Sequence, residues 1–214
     1  MDAKEFIAEQ AASLLKPGQV VNLGIGIPTL VINYLTEEDE VYIHSENGIL
    51  GVRSLATPEE MDEDLVNAGK IGVTIHKGAA FFDSAQSFAM IRGGHVDVAI
   101  IGALQVDESG RVANWSVPGQ NVFGVGGAMD LMEGAREIIV AFTHTTKDGK
   151  PKLVKQLSYP PTSLRSADYI VTELGTFHVR DGRLKLIRLA PGVTIDRIRE
   201  ATEASFDIEL QGGQ

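Results

Sequence analysis

The run Val96-Asp97-Val98-Ala99-Ile100-Ile101 does most to narrow the folds open to this chain. It is too short for a core helix and rich in β-branched residues, with almost no polar alternation, as in a strand buried on both faces. Shorter apolar runs over residues 19–23, 41–44, 71–75, 137–142 and 169–172 read as further strands. Between them lie segments of helical character. These are residues 3–15, stopped by Pro17-Gly18; 28–35, with Pro28 at the first position; 84–92, with Ser84 as cap and Gly93-Gly94 as stop; a helix opening near Ala128; and a last one over about 194–203. Such alternation predicts an open α/β fold with a mostly parallel sheet and helices on both faces. Added β-hairpins are expected at residues 107–110 and at Asp148-Gly149, and later strands at 177–179 and 184–189. Residues 52–70, acidic, aperiodic and interrupted by Pro58, read as an excursion over the surface. With no linker or internal repeat in 214 residues, one domain spanning 1–214 is expected.

Composition removes several function classes. The absence of cysteine excludes disulfides, thiolate-bound metals and thiol nucleophiles. A net charge of −10 without a basic stripe argues against wrapping nucleic acid. The N-terminal stretch has acids where a secretory signal needs bases, and no run of about 18 apolar residues is available to span a bilayer, so a soluble, cytoplasmic protein is expected.

Ligands of open α/β sheets sit beyond the carboxyl ends of the strands, which directs attention to residues 24–28, 45–48 and 124–127. Gly24 and Gly26 in the first loop, and Gly124, Gly126 and Gly127 in the third, allow close approach and leave amides free to face an anion; tight turns are the plainer alternative. Leu23-Gly24-Ile25-Gly26-Ile27-Pro28-Thr29 also begins like a dinucleotide fingerprint, with Glu46 where a ribose-binding acid would fall. Against that reading, Thr29 replaces the third glycine and Pro28 removes an amide that should receive pyrophosphate.

Glu46 lies between an apolar strand and the Asn47-Gly48 turn, which would hold its carboxylate in a defined direction at the ligand-binding edge; a solvated loop carboxylate is the plainer alternative. Carboxylates gain reactivity from positioning and desolvation, and glycine-loop amides are suitable oxyanion donors. His44, His76, His95, His144 and His178 have no metal-pair spacing, so no metal site is expected and most should be structural or exposed. There is no G-x-S-x-G elbow, Ser87 reads as helix surface, residues 93–97 as a turn into a strand, and Trp115 as core in preference to a pocket wall.

Taken together, Asn22-Leu23-Gly24-Ile25-Gly26-Ile27-Pro28, Ser45-Glu46-Asn47-Gly48-Ile49-Leu50-Gly51, the stretch from Ser87 to Asp97, Ala113-Asn114-Trp115, and Gly124-Val125-Gly126-Gly127-Ala128-Met129-Asp130-Leu131 are far more specific than any one glycine motif. In these motifs the chain resembles the B subunit of the family I coenzyme A-transferases, in the acetoacetate/3-oxoacid group, from about residue 2 to residue 205. The resemblance implies a CoA-transferase fold with Glu46 as catalytic glutamate, and amides at Gly126 and Gly127 as oxyanion donors. It also implies that Gly24, Gly26, Asn47 and Gly48 contact CoA or the acyl group. The reaction so implied passes through an acyl anhydride and a Glu46–CoA thioester, with acyl-CoA and a small carboxylic acid as substrates and no cofactor. An A (alpha) subunit is the implied partner in a hetero-oligomer, with neither nucleic acid nor membrane. The chain departs from the group's pattern at Gln120 and Phe123, where lysines are expected, and at Val52-Arg53-Ser54. Either Lys147, Lys150, Lys152 and Lys155 compensate for the acidic balance when polyanionic CoA binds, or a partner subunit supplies the cations. An effector-sensing domain for sugar phosphates is the alternative from another class; it would not need Glu46 as a nucleophile.

Overall fold

The computed structural model describes residues 2–119 and 124–210, so Gln120 and Phe123 lie outside the described residues. The strands are β1 (Val20–Leu23), β2 (Tyr42–Ser45), β3 (Ile49–Leu55), β4 (Val73–Phe81), β5 (Val98–Ile101), β6 (Gln105–Asp107), β7 (Val112–Ala113), β8 (Glu137–Ala141), β9 (Leu153–Val154), β10 (Tyr169–Val171), β11 (Gly175–Arg180), β12 (Arg183–Leu189) and β13 (Phe206–Ile208). Ten of them form one sheet in the order β13-β12-β11-β10-β8-β5-β1-β2-β3-β4, and β7-β6-β9 form a small second sheet. The centre, β10-β8-β5-β1-β2, is parallel throughout. Antiparallel strands extend it on either side.

The apolar centre reflects burial on both faces. Val98 and Ile100 of β5 pack with Ile7, Ala8 and Ala11 of α1 (Ala3–Ala12). Their neighbours Ala99 and Ile101 belong to the opposite core, with Ile91 of α2 (Ser84–Arg92), Leu131 and Met132 of α3 (Ala128–Gly134) and Ile198 of α4 (Ile195–Ala201). β8 divides the same way, Ile139 and Ala141 against Ile138 and Val140. A strand that must satisfy two apolar layers has no room for polar alternation, which is why its sequence reads as a continuous run.

Several local expectations are corrected. Residues 27–34 form a 3₁₀ helix, as suits a segment crowded with β-branched Thr29, Val31 and Ile32. Residues 52–55 are not excursion but the end of β3, and β4 continues past Ile75 to Phe81. The cap of α2 is Asp83, whose Oδ1 accepts from the Gln86 amide at 2.8 Å, not Ser84. The final strand β13 has no sequence signal strong enough to separate it from the preceding helix. Both hairpin turns are present, β6–β7 in the small sheet and a Thr145–Pro151 bridge around Asp148-Gly149. The turn before β5 is structural, with Asp97 accepting from the Val20 amide at 2.8 Å and pairing with Arg136 at 3.0 Å.

From β1 the sheet grows to β2 on one side and to β5 and β8 on the other. At such a change of direction the connections diverge and leave a crevice at the carboxyl ends of the strands. The register sets Asn22 beside His44 and Leu23 beside Ile100, so Gly24, Glu46 and Gly102 emerge at one edge.

Candidate active site

Glu46 is the first residue beyond β2 and is half-buried. The turn that follows is fixed by backbone chemistry: the Gly48 amide donates to Ser45 O at 2.9 Å, and the Phe82 amide donates to Gly48 O at 3.0 Å. Gly48 has φ of +119°, and a Cβ there would lie 1.9 Å from the Phe82 carbonyl oxygen, so no other residue fits without moving the chain. Asn47 donates through Nδ2 to Val66 O at 2.7 Å, and Ser45 Oγ accepts from the Ala68 amide at 3.0 Å. These contacts aim Glu46 by gripping the neighbouring loop.

The carboxylate faces a cleft of about 430 Å³ whose wall includes Gly24, Ile25, Gly102, Trp115 and residues 124–127. Of the residues singled out in the sequence, Glu46, Gly24, Gly126 and Gly127 converge there; Gly26, Asn47 and Gly48 do not line it. Gly24 lies flat on β5, its amide donating to Ile100 O at 2.8 Å, and an added Cβ would meet that oxygen at 3.1 Å. Gly127 closes the other side, where a Cβ would stand 3.2 Å from Phe88 Cζ and 3.7 Å from Glu46 Cγ. Gly126 has φ of +57° with open space around it. The amides of Gly126 and Gly127 donate to no backbone carbonyl among the described residues. Trp115 is a pocket wall and not core: it is half-buried, and its Nε1 donates to Pro161 O at 3.3 Å. Asn114 braces the same wall, donating through Nδ2 to Gly102 O at 3.2 Å.

Behind Glu46 is a polar cluster that no single stretch of sequence reveals. Asn22 Nδ2 lies 3.1 Å from Glu46 Oε2, 3.1 Å from His44 Nδ1 and 3.3 Å from His44 O. Ser87 Oγ is 3.1 Å from His44 Nε2. Ser87 is fully buried, which corrects its assignment to the helix surface. Burial holds His44 at about 4, far below an ordinary imidazole, so the ring is neutral. The usable signal is an Asn and a His inside otherwise apolar strands, which in adjacent parallel strands must find each other.

The lysines offered as a compensating patch do not line the cleft. Lys150 pairs with Asp148 at 3.2 Å, Lys152 lies over the Phe142 ring and is held at about 8 by burial, and Lys155 borders a separate depression with Glu108 and Glu203. Among the described residues no cluster of three or more His, Cys, Asp or Glu is placed to hold a metal, and no helix is long and apolar enough to cross a membrane.

Residues 4–201 match the family model of coenzyme A transferase. The chain belongs to the coenzyme A transferase family. This transferase is 47% identical over 208 residues to the beta subunit of the acetate CoA-transferase of Escherichia coli K12, covering 97% of the chain and 95% of that protein. It is 44% identical over 207 residues to the B subunit of the succinyl-CoA:3-ketoacid coenzyme A transferase of Helicobacter pylori 26695, covering 97% and 100%. The crystal structure of an acyl-CoA transferase from E. coli O157:H7, a thioester complex with CoA, superposes with a TM-score of 0.76 at 24% identity. That likeness covers 98% of this transferase and 42% of the longer chain, and it bears out the expected CoA-transferase fold.

Proposed function

We propose that this transferase moves coenzyme A between an acyl-CoA and a short-chain or 3-oxo carboxylic acid, with Glu46 as the covalent carrier. The observation that carries the reading is the half-buried Glu46 carboxylate, held by the turn at the mouth of the crevice and flanked by Gly24 and Gly127. One carboxylate oxygen attacks the thioester carbonyl, and the tetrahedral oxyanion collapses to expel CoA thiolate, leaving an acyl–glutamyl anhydride. The thiolate then attacks the glutamyl carbonyl, releasing the acyl group as a carboxylate and leaving CoA on Glu46 as a thioester. An acceptor carboxylate reverses both steps. One thioester replaces another, so the exchange is close to neutral in energy and the protein's task is to place groups and exclude water. Ile25, Trp115 and Leu131 give the cleft an apolar wall suited to a small acyl chain. The named relatives, for acetate and for succinyl-CoA with a 3-ketoacid, support that substrate class.

Incubating the transferase and its alpha partner with acetoacetyl-CoA, then trapping with borohydride or hydroxylamine, should mark the peptide containing Ser45-Glu46-Asn47 in mass spectra. An active complex carrying the adduct on another carboxylate would overturn the assignment. So would a bound nicotinamide cofactor with no adduct at all.

Gly127 offers a sharper test of the oxyanion donors than Gly126. Its φ of −78° is one that proline adopts, whereas Gly126 at +57° would be broken by proline. Gly127→Pro should therefore delete one amide from a largely retained turn and lower kcat by about 10²–10³-fold, as when an oxyanion donor is lost. Gly127→Ala keeps the amide and displaces Phe88 by a few tenths of an ångström. Equal losses in the two variants would mean that space, and not the donor, is what matters there.

A further inference from the structure

We propose that His44 and Ser87 are positioning residues that act through Asn22: together they lock the Asn22 amide so that its nitrogen holds Glu46 Oε2 and leaves Oε1 as the attacking atom. The proposal rests on Glu46 being the nucleophile and adds a reason for its orientation.

The amide has two possible orientations, and the cluster permits one. Nδ2 faces three acceptors, Glu46 Oε2, His44 Nδ1 and the His44 carbonyl. Turning the amide over would set its oxygen against the Glu46 carboxylate and that carbonyl, lone pair to lone pair. With the nitrogen inward, His44 Nδ1 must accept, so the single ring proton sits on Nε2 and donates to Ser87 Oγ. Asn22 Nδ2–H then donates to Glu46 on one side and to His44 Nδ1 on the other, and His44 Nε2–H donates on to Ser87. Asn22 is fully buried, and its Oδ1 has no hydrogen-bond partner among the described residues. A buried acceptor left empty is costly, so the Asn22 oxygen is not what sets the amide's orientation. The bonds that its nitrogen makes to His44 and Glu46 offset that cost, so both hydrogens stay aimed. Among the described residues Glu46 Oε1 accepts no hydrogen bond, and it is the oxygen left to meet an acyl carbonyl.

The order of events gives the held oxygen a second use. When Oε1 has become the bridging atom of the anhydride, Oε2 is the glutamyl carbonyl oxygen that thiolate attack turns into an oxyanion. The Asn22 N–H that set the direction of attack already points at it.

The test uses the complex with the alpha partner and acetoacetyl-CoA, measuring by rapid quench and mass spectrometry how fast CoA appears on the Glu46 peptide. Asn22→Ala should slow that step about 10²-fold, the scale of loss for a misaimed group, and Ser87→Ala roughly tenfold, with KM for acyl-CoA little changed. In the Asn22→Ala background, Ser87→Ala should have no further effect, because nothing remains for it to orient. His44→Asn, which can offer an amide oxygen where Nδ1 accepts, should recover much of the rate lost in His44→Leu; this separates orientation from damage to the fold. Wild-type rates in Ser87→Ala and His44→Leu, or an equal Ser87→Ala loss with and without Asn22, overturn the relay while leaving Glu46 as the carrier. Absence of any Glu46 adduct in an active wild-type complex overturns the carrier assignment and the relay with it.

Discussion

Glu46→Gln is expected to abolish CoA transfer while leaving the fold and CoA binding intact. The amide keeps the shape of the side chain and can still occupy the space beside Gly127, but it is a far poorer nucleophile and cannot form the anhydride. Glu46→Asp keeps the charge and withdraws it by one methylene. In a reaction that depends on placement, a displacement of that order costs about 10²-fold or more. The two variants therefore separate chemistry from geometry: Gln should give no adduct on the peptide containing Ser45-Glu46-Asn47, and Asp a slow one. Transfer assays, adduct mass spectra and thermal unfolding of the same preparations check this. Full transfer by Glu46→Gln would show that the nucleophile lies elsewhere.

The second large effect expected is dependence on a partner. Purified alone, this chain should show little exchange, and a matching alpha subunit should restore it. The cleft is open to solvent, with Ile25 in its wall 71% exposed and Met129 on the adjoining helix 47% exposed. Among the described residues, none of the cations that CoA phosphates require lines it. The matched part of the E. coli O157:H7 transferase is 42% of a longer chain, and the Escherichia coli K12 and Helicobacter pylori relatives are named as beta and B subunits. Titrating the partner into this chain while following thioester exchange measures the effect; rapid turnover by the chain alone would refute it.

The sequence discloses the sheet's centre because burial on both faces leaves a local mark. Val98 to Ile101 and Ile138 to Ala141 are apolar at every position, which no half-exposed strand would be. Glu46 is legible for another reason, since a charged residue between a short strand and an obligate glycine turn is held at the strand's carboxyl end. The features it hides have a different physical origin. β13 is three residues at a sheet edge, one half-buried and two exposed, and is specified by its partner β12 more than by its own pattern. Trp115 reads as core from its neighbours alone, because its role depends on where Pro161, far along the chain, is brought. Ser87 reads as helix surface because its burial comes from His44, on a strand 43 positions earlier. Polar pairs across elements have no local period, so they become legible only when register is known.

Much of the cleft wall is main chain. Gly24, Gly102, Gly126 and Gly127 present peptide groups to the space before Glu46, while bulky side chains enter from the rim at Ile25, Trp115 and Val125. The groups that would perform the chemistry are thus largely separate from those that would judge the shape of the acyl chain. Substitution at the rim can reshape which acid is accepted without disturbing a peptide amide or the carboxylate. A site divided in this way can diverge in substrate while keeping its reaction, with selectivity drifting at a few side chains around an unchanging backbone.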